Sequence, residues 1–411
     1  MTFMEREISG LIHHGWKVSV LALHGPMHVN YAAELDQSKV DKYYCLNRHL
    51  FSIRMLLSHV SMLITIPGKY FNSLICLFRY YSSSWYLFSR AIYAFLKAGY
   101  FYEIARSVGV KHIHAHFAGR TVDVAIFLSK FLEIEFSFTG HSNDVTGTYP
   151  LLQEKIHLAS FVIAENQNAY DAVVSLIPHD NIDRDVHIIR PGVNTSFFKP
   201  SVDMQSDIPT LISVTRLVES KGLNDLVNAC CQLKERGLDF VCHIVGDGPL
   251  FNELEMQIKE LNLDKYIFLK GELPSTEILQ LLNNSWIFVL PCIRVNSSQG
   301  DHPKEFVSVV EDGIPSSLIE AMSVGLPVVT TNVGALHELI NSPINGMVVE
   351  QRNSDELARV LINLINDSSL RNELGDNARK TVMKDFDTYV CSKKLGSLIL
   401  NTINKNKLEK L

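Results

Sequence analysis

Two basic residues, Arg216 and Lys221, stand five positions apart just beyond the apolar run Thr210–Thr215. In an open parallel sheet, ligands collect beyond the carboxyl ends of strands. A base at a strand end and a base at the start of the next helix would converge there on one anion. A diphosphate leaving group needs such charge, and Arg and Lys can supply it. Two solvated surface charges are an equal reading of this pair alone. The next strand-like run, Phe240–Val245, is followed by Gly246-Asp247-Gly248-Pro249. Glycines let a backbone approach a phosphate, and Pro249 suits the first turn of a helix. A G-x-G turn is often only a turn, so this signal is weak by itself.

The densest stretch is Glu311–Glu338. Asp312 precedes a Gly-Ile-Pro turn, and Glu320 falls two turns into the helix that follows. The two acids can face one pocket and hold hydroxyl groups through charge-assisted hydrogen bonds. The N–H groups of Gly313, Ile314 and Ser316 would be donors to hydroxyls or phosphate. An acid favoured by the helix dipole plus a surface Glu is the competing reading, weakened by the apolar neighbours of Glu320. In the first half, His141 follows the strand Glu135–Thr139 beside Gly140, with Asp144 three residues on. That placement favours a site role. His114 and His116, inside the run Lys111–His116, divide evenly between site and structure.

These positions require strands alternating with helices. Lys17–Leu23, Lys111–His116, Glu135–Thr139, Phe161–Ala164 and Val186–Ile189 read as strands of a first half, and Leu50–Arg106 as helices. Thr210–Thr215, Phe240–Val245, Ile267–Leu269, Trp286–Leu290 and Pro327–Thr331 read as strands of a second. They are rich in Val, Ile and Leu with little polar alternation, as buried parallel strands are. The expected fold class is α/β, with two doubly wound Rossmann-like domains. The turn-rich segment Arg190–Pro200 places a boundary near 195/196, giving domains 1–195 and 196–385, with a terminal helix 386–411 packing back on the first. The chain opens on a helix, Met4–His14, and the first domain therefore reads as lacking its first strand.

The 411 residues carry a net charge of −6, which argues against a general nucleic-acid partner. Residues 1–200 hold 18 basic and 16 acidic residues, and the remainder 20 and 28, so the halves differ in surface charge. None of the seven cysteines forms a metal-spaced pair, consistent with a reduced, cytoplasmic compartment. No signal peptide is read at the start. The uncharged run Met55–Gly68 is shorter than the ~20 residues of a spanning helix. No Asp-x-Asp or His/carboxylate cluster reads as a metal site, so no metal is expected.

The strings VTRLVESKG, IVGDGP, DGIPSSLIEAMSVGLPVVTT and FTGHSND, in this order and spacing, resemble the GT-B glycosyltransferases of family GT4. RPGVNTSFFKP resembles that family's interdomain segment. HIHAHFA and TFMEREI resemble its bacterial exopolysaccharide and colanic-acid-type members. The resemblance implies a retaining, metal-independent transferase, with a UDP- or GDP-sugar as donor substrate in the interdomain cleft and no separate cofactor. Arg216 and Lys221 match its diphosphate-binding pair. Glu320 matches the ribose-holding acid, and His141 the histidine that approaches the donor sugar and phosphate. Asp312 stands where a Glu is usual, one methylene shorter. The loop Ile293–Val310 looks longer than usual, and the family's first strand and Gly-rich loop would lie upstream of Thr2.

The expected partners are a nucleotide-diphosphate sugar and a saccharide acceptor, lipid-linked in cell-surface polysaccharide synthesis. Two rivals stand beside this reading. One is a sugar-phosphate synthase on the same fold. The other is a non-catalytic nucleotide-sugar-binding or complex subunit, inactivated by loss of the first strand and Gly-rich loop. The segment Lys69–Arg106 is crowded with aromatics and carries five bases against Glu103. It is expected to meet an anionic membrane surface, on the inner face of the cytoplasmic membrane. Helices whose aromatics fill an ordinary core are the alternative.

Overall fold

The computed structural model describes residues 2–23, 40–44, 52–81, 84–145, 151–178, 185–201, 206–297, 308–310 and 313–409. The chain divides into two compact units. The carboxy-side unit joins the helix Thr2–His13 to Arg190–Ser392. The amino-side unit takes the described residues between His14 and Ile189, with residues 393–409.

In the amino-side unit, β1 (Ser19–Ala22) pairs in parallel with β2 (Asp41–Tyr44). A second parallel sheet follows the order of the chain: β3 (Ile113–His116), β4 (Phe136–Gly140), β5 (Phe161–Ala164) and β6 (Asp185–Ile188). Every residue of β4 and β5 is buried, as expected for strands covered on both faces. The helices Trp85–Ser107 and Arg120–Leu132 pack together over an aromatic core. Within it the Phe95 ring meets Phe127 and Phe131 edge-on, with centroids 5.5 and 5.4 Å away.

In the carboxy-side unit, six parallel strands form one sheet. They are β7 (Thr210–Val214), β8 (Val241–Val245), β9 (Ile267–Leu269), β10 (Ile287–Leu290), β13 (Val328–Thr331) and β14 (Met347–Val349). A separate antiparallel pair joins β11 (Val295–Ser297) to β12 (Ser308–Val310), the two described ends of the long loop expected at 293–310. The spatial order β14-β13-β10-β7-β8-β9 runs outward in one direction from β7 and in the other from β10. The topological switch point therefore lies between β7 and β10, the position where doubly wound sheets bind ligands. Apolar clusters cover both faces of the sheet, one built on Leu226, Val227 and Leu361, the other on Leu318, Met322 and Phe386.

The division falls at 189/190 rather than 195/196. Arg190 pairs with Glu338 at 2.9 Å and lies over the Phe386 ring. Val193 donates to the Phe386 carbonyl at 2.8 Å, and its own carbonyl accepts from Thr388 at 2.9 Å. Helix Thr2–His13, expected in the first domain, is held to the carboxy-side unit by Arg6 and by Gly10, where a Cβ would overlap Ser392. The terminal helix is Thr388–Glu409, and only its part from Lys393 onward belongs with the amino-side unit. There Gly396 leaves room for Trp16, whose indole nitrogen would lie 2.7 Å from a Cβ.

Among the described residues no single helix is long and apolar enough to cross a membrane. The aromatic segment expected at a membrane is divided by the structure. Phe95, Phe101 and Tyr102 are buried in the core, Lys97 is fully buried, and Arg90 pairs with the buried Asp123 at 2.6 Å. Phe71, Phe78, Trp85 and Tyr86 are exposed. Aromatics and bases at helical spacing thus serve two faces that composition does not separate.

Candidate active site

Beyond β7 the chain turns through Arg216, which is exposed, and a 3-10 turn Glu219–Lys221. The turn closes on Gly222 at φ 62°, where a side chain would overlap the Pro291 carbonyl beyond β10. Ile293 donates to the Ser220 carbonyl at 2.8 Å. The loops that flank the switch point are therefore tied together by backbone contacts.

The loop after β8 packs on the same segment. Leu217 donates to the Asp247 carbonyl at 2.9 Å, and Leu250 to the Leu217 carbonyl at 3.1 Å. Gly246 has φ 133°, and a Cβ there would overlap the Thr215 carbonyl. A Cβ on Gly248 would lie 2.5 Å from the Leu217 carbonyl oxygen. Both glycines are thus required by backbone packing against the Arg216 loop, whatever else approaches them. Arg216, Lys221, Gly246 and Gly248 lie in the loops that follow β7 and β8 at one edge of the sheet.

Gly313 and Ile314 lead into the helix Ser316–Ser323. Pro315 is its N-cap, and no side chain caps the first turn. Ile314 is buried in the apolar cluster beneath that helix, so its side chain is structural while its backbone lies at the helix start. Glu320 is buried on the second turn, and its Oε1 accepts from the Arg6 guanidinium at 2.7 Å. Arg6 is 2% exposed and lies over the Phe198 ring. The acid expected to hold ribose is held here by a base of helix Thr2–His13. Asp312 lies outside the described residues.

His141 is organised within the amino-side unit. Its Nδ1 lies 2.9 Å from Glu165 Oε2, a contact that orients the ring. His116 Nδ1 stands 3.4 Å from His141 Nε2, and the Phe117 ring centroid is 4.4 Å from the imidazole. Phe117 holds φ 68°, a left-handed conformation costly for a bulky residue. The loop that imposes it is clamped from below. Ala118 donates its N–H to Asp144 Oδ2 at 2.5 Å, and the buried Lys155 donates to the Ala118 carbonyl at 2.7 Å. Lys155 also pairs with Asp123 at 2.8 Å.

Asp144 therefore points inward as a brace, not outward beside His141. Burial raises its pKa to about 6 against the pull of His141 and its backbone donors. His114 is absorbed by Ser137 at 2.8 Å and Thr139 at 2.9 Å, a structural role. Glu165 and Arg6 were missed in the sequence. Glu165 immediately follows β5, so reading every strand end would have found it. Arg6 carries no such signal.

Residues 195–381 match the family described as glycosyl transferases group 1. The chain carries a group 1 glycosyl transferase domain. The chain is 33% identical over 216 residues to the putative colanic acid biosynthesis glycosyltransferase WcaL of Escherichia coli K12, covering 52% of this chain and 50% of that protein. It is 29% identical over 215 residues to the amylovoran biosynthesis glycosyltransferase AmsK of Erwinia amylovora, covering 52% and 50%. The chain thus spans about half the length of the curated relatives it matches. The Anabaena protein HepE, solved with UDP and glucose, superposes with a TM-score of 0.66 at 17% identity, over 97% of this chain and 95% of that one. The sucrose-phosphate synthase of Thermosynechococcus elongatus superposes with a TM-score of 0.66 at 16% identity, over 98% and 93%. The fold of the glycosyltransferase domain and its companion unit is the GT-B fold.

Proposed function

We propose that the protein is a retaining glycosyltransferase that moves a sugar from a UDP- or GDP-sugar to a saccharide hydroxyl in polysaccharide synthesis. The observation that carries this reading is the basic pair Arg216 and Lys221 at the switch point of the group 1 domain. In the proposed step, the bond from the anomeric carbon to the diphosphate oxygen breaks. The acceptor oxygen bonds to that carbon from the same face, and its proton passes to the departing phosphate oxygen. Arg216 and Lys221 stabilise the growing charge, the term that dominates such catalysis. Glu320 holds the ribose once Arg6 yields it, Asp312 holds sugar hydroxyls, and His141, oriented by Glu165, acts on the donor sugar. No metal or separate cofactor takes part. The acceptor is a lipid-linked saccharide, so the protein works in the cytoplasm at the inner membrane surface.

One observation favours a second reading. Arg6 already occupies Glu320, which keeps that acid from a donor's ribose, and the second reading is a non-catalytic nucleotide-sugar-binding or complex subunit. The two are separated by incubating the protein with a panel of UDP- and GDP-sugars and a lipid-linked saccharide. Transfer, with the donor's anomeric configuration in the product by NMR, supports the transferase. Donor binding without any product on the whole panel supports the binding subunit.

A further inference from the structure

We propose that the helices Ile53–Thr65 and Pro67–Tyr81 form a docking face that inserts its outer side chains into one leaflet of an anionic lipid bilayer. This deepens the lipid-linked-acceptor reading by naming the surface that meets the lipid. Both helices are apolar on both sides, which a helix facing water is not. The inner side packs in the ordinary way. Met55, Ser58, His59 and Met62 are buried, and Ser58 donates to the Gly99 carbonyl at 2.6 Å. The outer side carries Ile53, Leu57, Val60 and Ile64, with Ile53 76% and Ile64 74% exposed. The second helix adds Phe71, Ile75 and Phe78 at spacings of four and three, all more than half exposed. Trp85, at the start of the next helix, is 80% exposed. Large apolar side chains exposed in this number on adjoining helices mark an interaction surface.

Charge and geometry name the occupant. From Ile53 to Tyr81 there is no acidic residue, while Arg54, Lys69 and Arg79 are basic. Arg54 and Arg79 are exposed, and Lys69 pairs with Glu133 at 2.9 Å. Bases beside apolar side chains fit anionic headgroups over acyl chains, with Trp85 at the level an indole prefers. The two helices bend by 113° at their junction. A 13-residue helix is about 20 Å long, short of the ~30 Å hydrocarbon core, so the bent pair lies in a leaflet and does not cross it.

The test uses the purified full chain with vesicles of phosphatidylcholine alone and of phosphatidylcholine mixed with phosphatidylglycerol. The protein is expected to co-sediment with the mixed vesicles, more weakly with the neutral ones. Tryptophan emission should shift to the blue on binding, and the shift should vanish in Trp85→Phe. Leu57→Gln with Ile64→Gln should lower the bound fraction about tenfold or more with unchanged circular dichroism. Both side chains point outward, so the fold is spared. The double variant should transfer sugar to a water-soluble acceptor at the wild-type rate, which separates docking from catalysis. Absence of vesicle binding would overturn the proposal, as would binding that the double variant leaves intact. A vesicle-indifferent dimer that the double variant dissolves would assign the face to a second copy instead.

Discussion

The guanidinium of Arg6 and the carboxylate of Glu320 meet at 2.7 Å, 314 positions apart in sequence, with both side chains at most 10% exposed. The pair fastens the first helix to the group 1 domain at Glu320, the residue proposed to hold ribose. Removing one partner strands a buried charge, at about 3–5 kcal/mol. Arg6→Ala should therefore lower unfolding stability by about that amount, and Arg6→Met with Glu320→Leu should recover most of it. Urea denaturation measures both. A loss below about 1 kcal/mol in Arg6→Ala would show that the pair holds nothing together.

Glu165 is expected to act through His141. Glu165→Gln keeps the shape and removes the carboxylate that pairs with His141 Nδ1, so the His141 pKa should fall. NMR titration of the imidazole reads this directly. Transfer should slow chiefly in kcat, with the pH profile moved in the same direction. A His141 titration unchanged in Glu165→Gln would leave Glu165 without a positioning role.

Asp144 gives the molecule an unusual acid response. Its folded pKa of about 6 lies above the ordinary 3.8, so the native state binds its proton more tightly than the unfolded chain does. Its stabilising contribution is full below pH 4 and is lost as pH rises through 6. The loss is about 2–3 kcal/mol. His112, lowered by burial to about 4, has the opposite slope between pH 4 and 6.5. Asp144→Asn removes the first effect and leaves the second, so the variant should gain stability relative to the parent as pH rises from 4 to 7. Parallel stability curves for the two proteins would contradict the burial account of Asp144.

Asp312 lies outside the described residues. Asp312→Glu should keep transfer and broaden donor use, because one methylene restores the reach of the acid. Asp312→Ala should lose it, by about 3 kcal/mol in the transition state. Equal kcat/KM for Asp312→Ala and the parent would reduce Asp312 to a helix N-terminal residue.

The sheet of the group 1 domain was legible because its strands are continuous apolar runs, from Thr210 to Val214 and from Val241 to Val245. The rule that ligands sit at strand carboxyl ends then points to Arg216, Lys221, Gly246 and Gly248, which follow β7 and β8. What stayed hidden depends on contacts between distant segments. Nothing local to Arg6 signals Glu320, and nothing in the first helix shows that it packs with residues past Arg190. Asp144 and His141 lie three residues apart, yet one braces Ala118 and the other meets Glu165. The aromatics of 69–106 looked alike in sequence. Packing of the helix Trp85–Ser107 on Arg120–Leu132 buries Phe95 and Phe101 and leaves Trp85 and Tyr86 exposed.

We assign Arg216 and Lys221 to the diphosphate of the donor. Titration calorimetry of UDP and GDP in the presence of EDTA, against the parent, Arg216→Ala and Lys221→Ala, tests this most directly. The parent should bind one of the two nucleotides without a divalent ion. Each variant, with unchanged circular dichroism, should bind about 100-fold more weakly, the worth of a lost charge-assisted contact to phosphate. Equal affinity in parent and variants, or a parent that binds neither nucleotide, would remove the two residues from the diphosphate site.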